Sequence, residues 1–156
     1  MTKVFLDTNI IVYANDGRDP DKQARAIEVV TDCMRRRSGV ISTQVLQEYA
    51  VVAREKLNQD LDVILRQLLL LESLEVVHVT PEMVRRGLEV QSRYRISYWD
   101  AAIIAAAERA NCSVLLSEDL AAGALYGTVR VENPFARNEP GQQSSLPPGR
   151  EGNPDG

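Results

Sequence analysis

The sequence predicts an α/β fold, a short parallel sheet with helices on both faces, and three observations lead there. Short apolar runs (Val4-Phe5-Leu6, Val40-Ile41, Val76-Val77, Val114-Leu115-Leu116) have strand length and are rich in β-branched residues. Stretches with apolar residues at helical spacing stand between them, as in Ala24, Ile27, Val30 and Met34. Strands that alternate with helices cannot pair as hairpins and imply parallel crossovers.

Taken in order, Lys3–Asp7 reads as the first strand, followed by a helix beginning near Ile10. Asp21–Arg37 is a helix and Val40–Ser42 a short strand, after which Thr43 is expected to cap the helix that carries Glu48. Asp60–Glu72 is a leucine-dense helix and Glu75–Val79 the third strand. Thr80-Pro81-Glu82 opens the next helix: a hydroxyl cap, a proline whose missing N–H is not needed in the first turn, and an acid facing the positive helix end. That helix runs to about Arg95. Ser97–Asn111 is another, Val114–Ser117 the fourth strand and Val129–Glu132 a fifth.

The 156 residues make one domain, assigned to 1–133, long enough for a core that needs no staples. From 134 to 156 the chain holds five of the seven prolines and almost no apolar surface, so this Pro/Gly-rich tail is expected to be disordered. Cys33 and Cys112 are too few for a disulfide framework and read as small buried hydrophobes. No leader and no membrane-length apolar run is evident, so a cytoplasmic protein without a membrane contact is expected. A net charge of −4 argues against a general nucleic-acid scavenger. Arginines nevertheless gather at 35–37 and at 85, 86, 93 and 95, where solvated helix faces are the plainer reading.

Four acids stand on apolar backgrounds. Asp7 ends the first strand; it could hold a metal or cap the following helix, a task Asn9 could also perform. Glu48 lies three residues after Val45 and four before Val52, on or beside the buried stripe of its helix. An unpaired carboxylate there is costly, so a cation is expected, either a metal or Arg54. Asp100 lies four residues before Ile104, although Ser97-x-x-Asp100 also resembles a capping box. Asp119, with Glu118 beside it, follows the fourth strand. Two carboxylates ~4 Å apart repel by about 4 kcal/mol at an effective dielectric of 20. A fold that gathers several needs a counter-ion, and all-oxygen ligands select Mg²⁺ or Mn²⁺. His78, the only histidine, sits in an apolar strand and reads as structural, which removes imidazole as a general base.

The same residues carry a family likeness. Leu6-Asp7-Thr8-Asn9, Glu48, Trp99-Asp100-Ala101 and Leu116-Ser117-Glu118-Asp119 resemble the four motifs of PIN-domain ribonucleases, with VapC-type toxins of bacterial toxin–antitoxin pairs the nearest likeness. The resemblance covers about Thr2 to Pro134. It implies a three-layer α/β/α sandwich and a metal-dependent endoribonuclease. By that resemblance Asp7, Glu48 and Asp100 match metal-binding acids, Asp119 the fourth acid, and Asn9 and Ser117 supporting polar positions. Mg²⁺ or Mn²⁺ is the implied cofactor; a cognate antitoxin, an RNA substrate and a second copy of the chain in a homodimer are the expected partners. Ser117 stands where many members carry Thr, and the adjacency of Glu118 leaves the fourth acid open between the two.

Two rivals remain at this point. One is a non-catalytic module with this fold that binds RNA or protein. The other is phosphoryl transfer through an aspartyl intermediate at Asp7, which wants a second acid where Asn9 stands and a lysine near the fourth strand, whereas no lysine follows Lys56.

Overall fold

The computed structural model describes residues 2–136, and statements of absence below refer to those residues. Six strands form one sheet in the order β3-β2-β1-β4-β6-β5. These are β1 (Val4–Leu6), β2 (Gly39–Ser42), β3 (Glu75–Val77), β4 (Val114–Leu116), β5 (Leu125–Tyr126) and β6 (Val129–Glu132). All neighbours run parallel except β5, which pairs antiparallel with β6. The expected sheet is therefore present with one added edge strand. β5 is two residues long and joined to β6 through Gly127 at φ 60°, too short to leave a period-two pattern in the sequence.

Six helices connect the strands: α1 (Thr8–Ala14), α2 (Pro20–Arg36), α3 (Thr43–Glu55), α4 (Leu61–Leu71), α5 (Pro81–Tyr94) and α6 (Tyr98–Arg109). The chain steps one way along the sheet from β1 to β3 and then crosses back to β4. Right-handed crossovers consequently put α1–α4 on one face and α5 and α6 on the other. The packing agrees: α1 lies against α2 and α3, α3 against α4, and α5 against α6. This is the three-layer α/β/α sandwich.

Phe5, Leu6, Ile41, Leu115, Val129 and Val131 are fully buried in the sheet, with Ile104 and the alanines of α6 against them. Small residues on α6 let that helix approach the strands closely, which explains its weak amphipathic pattern. Among the described residues no helix is long and apolar enough to cross a membrane. Cys33 and Cys112 are free and buried, as expected. Arg35 and Arg36 pair with Asp32, and Arg86 with Glu89 and Glu108, so these arginines are ion-paired helix faces.

Several local expectations need correction. Ser42, not Thr43, caps α3: its hydroxyl accepts from Val45 N at 3.4 Å. The Thr43 hydroxyl instead accepts from Val79 N at 3.2 Å and ties the end of β3 to α3. β3 stops at Val77, leaving His78 exposed beyond it. The domain boundary drawn after 133 falls short of Pro134 and Phe135. Arg25 donates to Pro134 O at 3.0 Å, and Phe135 packs edge-on against Tyr13 with ring centroids 5.0 Å apart. The aromatic ring offsets the surrounding polar composition that suggested the tail begins there. The expected disorder of 137–156 lies outside the described residues.

Candidate active site

β1 and β4 are neighbours in register, with Leu6 opposite Leu116. From β1 the chain moves toward β2, and beyond β4 it moves the opposite way, toward β6. The two carboxyl ends therefore flank the crevice where parallel sheets place their chemistry. Asp7 and Ser117 are the first residues after those strands, and Asp7 N donates to Leu116 O at 3.0 Å.

Asp7 is buried, 6% exposed, and caps α1: its Oδ1 accepts from Thr8 N at 2.7 Å. Its Oδ2 accepts from the Ser117 hydroxyl at 2.8 Å and from Asn9 Nδ2 at 3.4 Å. The capping alternative is thus realised, one oxygen serving the helix while the other faces the crevice. Asn9 is not the cap. It sits inside the first turn of α1, and its amide nitrogen reaches Asp7, Ser117 Oγ at 3.4 Å and Asp119 Oδ2 at 3.1 Å. Its carbonyl accepts from Glu118 N at 3.3 Å. Ser117, fully buried, also accepts from Asp119 N at 3.2 Å and Leu120 N at 3.3 Å. One hydroxyl and one amide therefore fix the 117–120 loop against the start of α1.

Burial pushes the Asp7 carboxyl up to about 6, and the nearby charges of Glu48 and Asp119 add to the rise. The bonds from Ser117 and Thr8 oppose it without cancelling it.

Glu48 enters from α3. Tyr49, next in sequence, is fully buried and donates to Gln59 Oε1 at 2.7 Å. That anchor rotates α3 so that Glu48 lies half-buried at the flank, facing the site. Thr8 Oγ1 donates to Glu48 Oε2 at 3.1 Å and Gln44 Nε2 to Oε1 at 2.6 Å. Arg54, the alternative cation, is exposed and makes no salt bridge with Glu48. Gln44 Nε2 also donates to Trp99 O at 3.2 Å, joining Glu48 to the start of α6. There Ser97 Oγ caps the helix by accepting from Asp100 N at 3.1 Å, half of the anticipated capping box.

Asp7, Asn9, Ser117, Asp119 and Glu48 thus share one hydrogen-bonded network, and Asp100 adjoins it through the Trp99 backbone. No described hydrogen bond or salt bridge links the Asp100 carboxylate to the other acids. Among the described residues no three Asp, Glu, His or Cys side chains are arranged as a ready-made metal site. Neutral donors from Asn9 and Thr8 stand between the acids instead. Nor does any described Lys or Arg pair with Asp7, Glu48, Asp100 or Asp119. Lys22, the cation of the adjoining loop contact, takes Glu118 Oε2 at 2.7 Å instead. The carboxylate oxygens of Asp7, Glu48 and Asp119, held by amide and hydroxyl donors, are of the hard-oxygen type that Mg²⁺ and Mn²⁺ accept.

Glu118 differs from Asp119. Tyr13 OH donates to Glu118 Oε1 at 2.7 Å, and despite partial burial Lys22 and Tyr13 hold its carboxyl below the ordinary range. Asp119 is exposed and bonded to Asn9. Sequence reasoning gave Thr8 no role and passed over Gln44. The spacing of Gln44, four residues before Glu48 on one helix, was a usable sign; nothing local marks the reach of Thr8.

Residues 4–125 match the PIN domain. This chain belongs to the PIN domain family. No curated protein matches this chain closely enough to stand as a relative. Among solved structures, its fold is similar to the toxin–antitoxin complex from Klebsiella pneumoniae, with 20% identity, TM-score 0.65, and coverage of 85% of this chain and 98% of that one. VapBC2 from Rickettsia felis, bound to a DNA fragment from its promoter, is 19% identical with TM-score 0.62, covering 85% and 98%. The sarcin-ricin loop cleaving toxin VapC20 from Mycobacterium tuberculosis is 16% identical with TM-score 0.60, covering 75% and 92%. At these identities the likeness is one of PIN fold.

Proposed function

We propose that this PIN domain is a Mg²⁺- or Mn²⁺-dependent endoribonuclease, the toxin of a toxin–antitoxin pair acting in the cytoplasm. One observation supports the reading: Asp7 after β1, Glu48 on α3 and Asp119 after β4 are joined through Thr8 and Asn9 in one hydrogen-bonded network, and no described Lys or Arg pairs with them. Asp7, Glu48 and Asp100 would hold the metal, and Asp119 would complete the set. Bound there, a divalent ion supplies an acidified water and stabilises charge on a phosphodiester. Ser117 and Asn9 orient the Asp7 and Asp119 carboxylates, while Thr8 and Gln44 hold Glu48 at the rim. Family membership and the toxins among the similar folds support the reaction class.

The absence of a ready-made three-acid site among the described residues favours a second reading, a non-catalytic PIN module that binds RNA or protein. RNA cleavage assays with Mg²⁺, with Mn²⁺ and with EDTA separate the two. Cleavage that requires the metal and is lost in Asp7→Asn is the expected result. No cleavage under any of these conditions would leave the binding module standing.

The similar Klebsiella structure is by its description a toxin–antitoxin complex, so a cognate antitoxin is the proposed protein partner. The α3–α4 layer suits an amphipathic helix: Val51, Leu61, Leu65, Leu69 and Leu70 are exposed, Leu69 by 70%. Leu65→Asp with Leu69→Asp should weaken antitoxin binding by about 10-fold or more while leaving RNA cleavage unchanged. Unaltered affinity in calorimetry would move the antitoxin to another face. RNA as substrate and a homodimeric state belong to the same proposal.

A further inference from the structure

Trp99 is the only tryptophan of the chain, and its side chain is 66% exposed. Exposed apolar surface is informative where it is contiguous, and Val79, Val84 and Leu88, also exposed, line the same depression as Trp99. Trp99 sits at the rim of the acid network. It directly precedes Asp100, and its carbonyl accepts from the same Gln44 nitrogen that binds Glu48, at 3.2 and 2.6 Å. The ring meets Tyr98 edge-on with centroids 5.1 Å apart. Tyr98 is seated in turn over Gly87 of α5, where an added Cβ would come within 3.0 Å of the Tyr98 ring. The indole therefore projects from a fixed support.

Beside it opens a cavity of about 490 Å³, lined chiefly by Gln44, Gln47, Val84, Leu88, Tyr98 and Trp99, and no lining residue is charged. That chemistry excludes a phosphate subsite, which would need Lys, Arg or a helix end. An aromatic face, aliphatic walls and side-chain amides match what an unstacked nucleobase requires: a stacking platform plus groups that pair with its polar edge. Gln47 is exposed, and no described hydrogen bond occupies its amide. Gln44, committed to Glu48, fixes the distance from this slot to the acids.

We infer that Trp99 and this slot bind a nucleobase of single-stranded RNA flanking the scissile phosphate, making Trp99 a specificity-determining residue. The inference rests on the nuclease reading. A second copy of the chain is the competing occupant of so apolar a surface, but it would not require an uncharged slot tied through Gln44 to a carboxylate of the site.

Because Trp99 is the sole tryptophan, its emission reports on the slot directly. The full chain carrying Asp7→Asn is titrated with short single-stranded RNA, and binding is followed in parallel by anisotropy of labelled RNA and by tryptophan fluorescence. The expected result is saturable quenching that tracks anisotropy, with little quenching by RNA of the same length lacking bases. Trp99→Ala should raise Kd roughly 10-fold, and Trp99→Phe should recover most of it. Since the side chain is largely exposed, these variants should fold, and circular dichroism checks that they do. RNA binding with silent Trp99 emission, or an unchanged Kd in Trp99→Ala, overturns the slot and leaves the nuclease reading intact. Emission that responds to protein dilution but not to RNA assigns the surface to a second copy and overturns the proposal. Loss of all RNA binding together with loss of metal-dependent cleavage by the wild-type chain overturns both.

Discussion

Asparagine at position 7 should abolish metal-dependent RNA cleavage and yet make the metal-free protein more stable at neutral pH. The buried Asp7 carboxyl titrates near 6 in the folded chain against 3.8 as its ordinary value. Between those values the folded chain holds a proton that the unfolded chain has released, so stability falls as pH rises through the window. Above about pH 6 the fold carries an ionised, buried carboxylate at a cost of roughly 3 kcal/mol, from about 1.4 kcal/mol per pKa unit. Asparagine removes that cost and remains a good N-cap for α1. It loses part of the pairing with Ser117, worth about 1 kcal/mol. A net gain of about 1–2 kcal/mol at pH 7.5 is expected in EDTA, shrinking to nothing or reversing near pH 4, where both chains are neutral at this position. Mg²⁺ should raise the Tm of the wild-type chain and not that of Asp7→Asn. Cleavage should fall by more than the roughly 10–100-fold typical of groups that merely support a metal ligand. Denaturant melts across pH 4–8 decide the stability claim. A loss of stability at pH 7.5 would mean that the cap and the Ser117 bond outweigh the relief of charge.

How much of this was legible in the sequence depended on where each signal was local. β1, β2 and β4 are short continuous apolar runs with little choice but burial, and Thr80-Pro81 marks the start of α5 outright. Asp7 and Asp119 were legible as a pair because each stands at or just beyond the end of an apolar strand, and a parallel sheet brings such positions together; Ser117 entered only through the family likeness. The register Leu6 opposite Leu116 does the rest. Ser42 was passed over for Thr43 because both are competent caps and only the backbone shows which hydroxyl meets Val45 N. The Thr8–Glu48 bond spans 40 positions and leaves no local trace. Phe135 was assigned to the tail because its docking site, Tyr13 and Lys22, lies more than a hundred residues away in sequence. What the pattern could not supply was long-range side-chain pairing, and the choice between Glu118 and Asp119 turns on just that.

For those two neighbours, opposite outcomes are expected. Glu118→Ala should leave cleavage within about 3-fold of wild type but cost stability. Its carboxylate takes Lys22 Nζ and Tyr13 OH, each at 2.7 Å, and so holds α2 and the end of α1 to the loop after β4. With the pair only partly shielded from solvent, the loss should be about 1 kcal/mol. Asp119→Ala should barely alter stability, because Asp119 is exposed and its charge adds to the repulsion felt by Asp7. Its cleavage should nevertheless drop by roughly 10–100-fold, since Asn9 would lose the carboxylate it holds beside Asp7 at 3.1 Å. Single-turnover rates and denaturant midpoints measured on both variants give two independent readouts. If Glu118→Ala were the inactive and stable variant, and Asp119→Ala the active and destabilised one, the fourth acid would be Glu118, and Lys22 would have to leave it when metal binds.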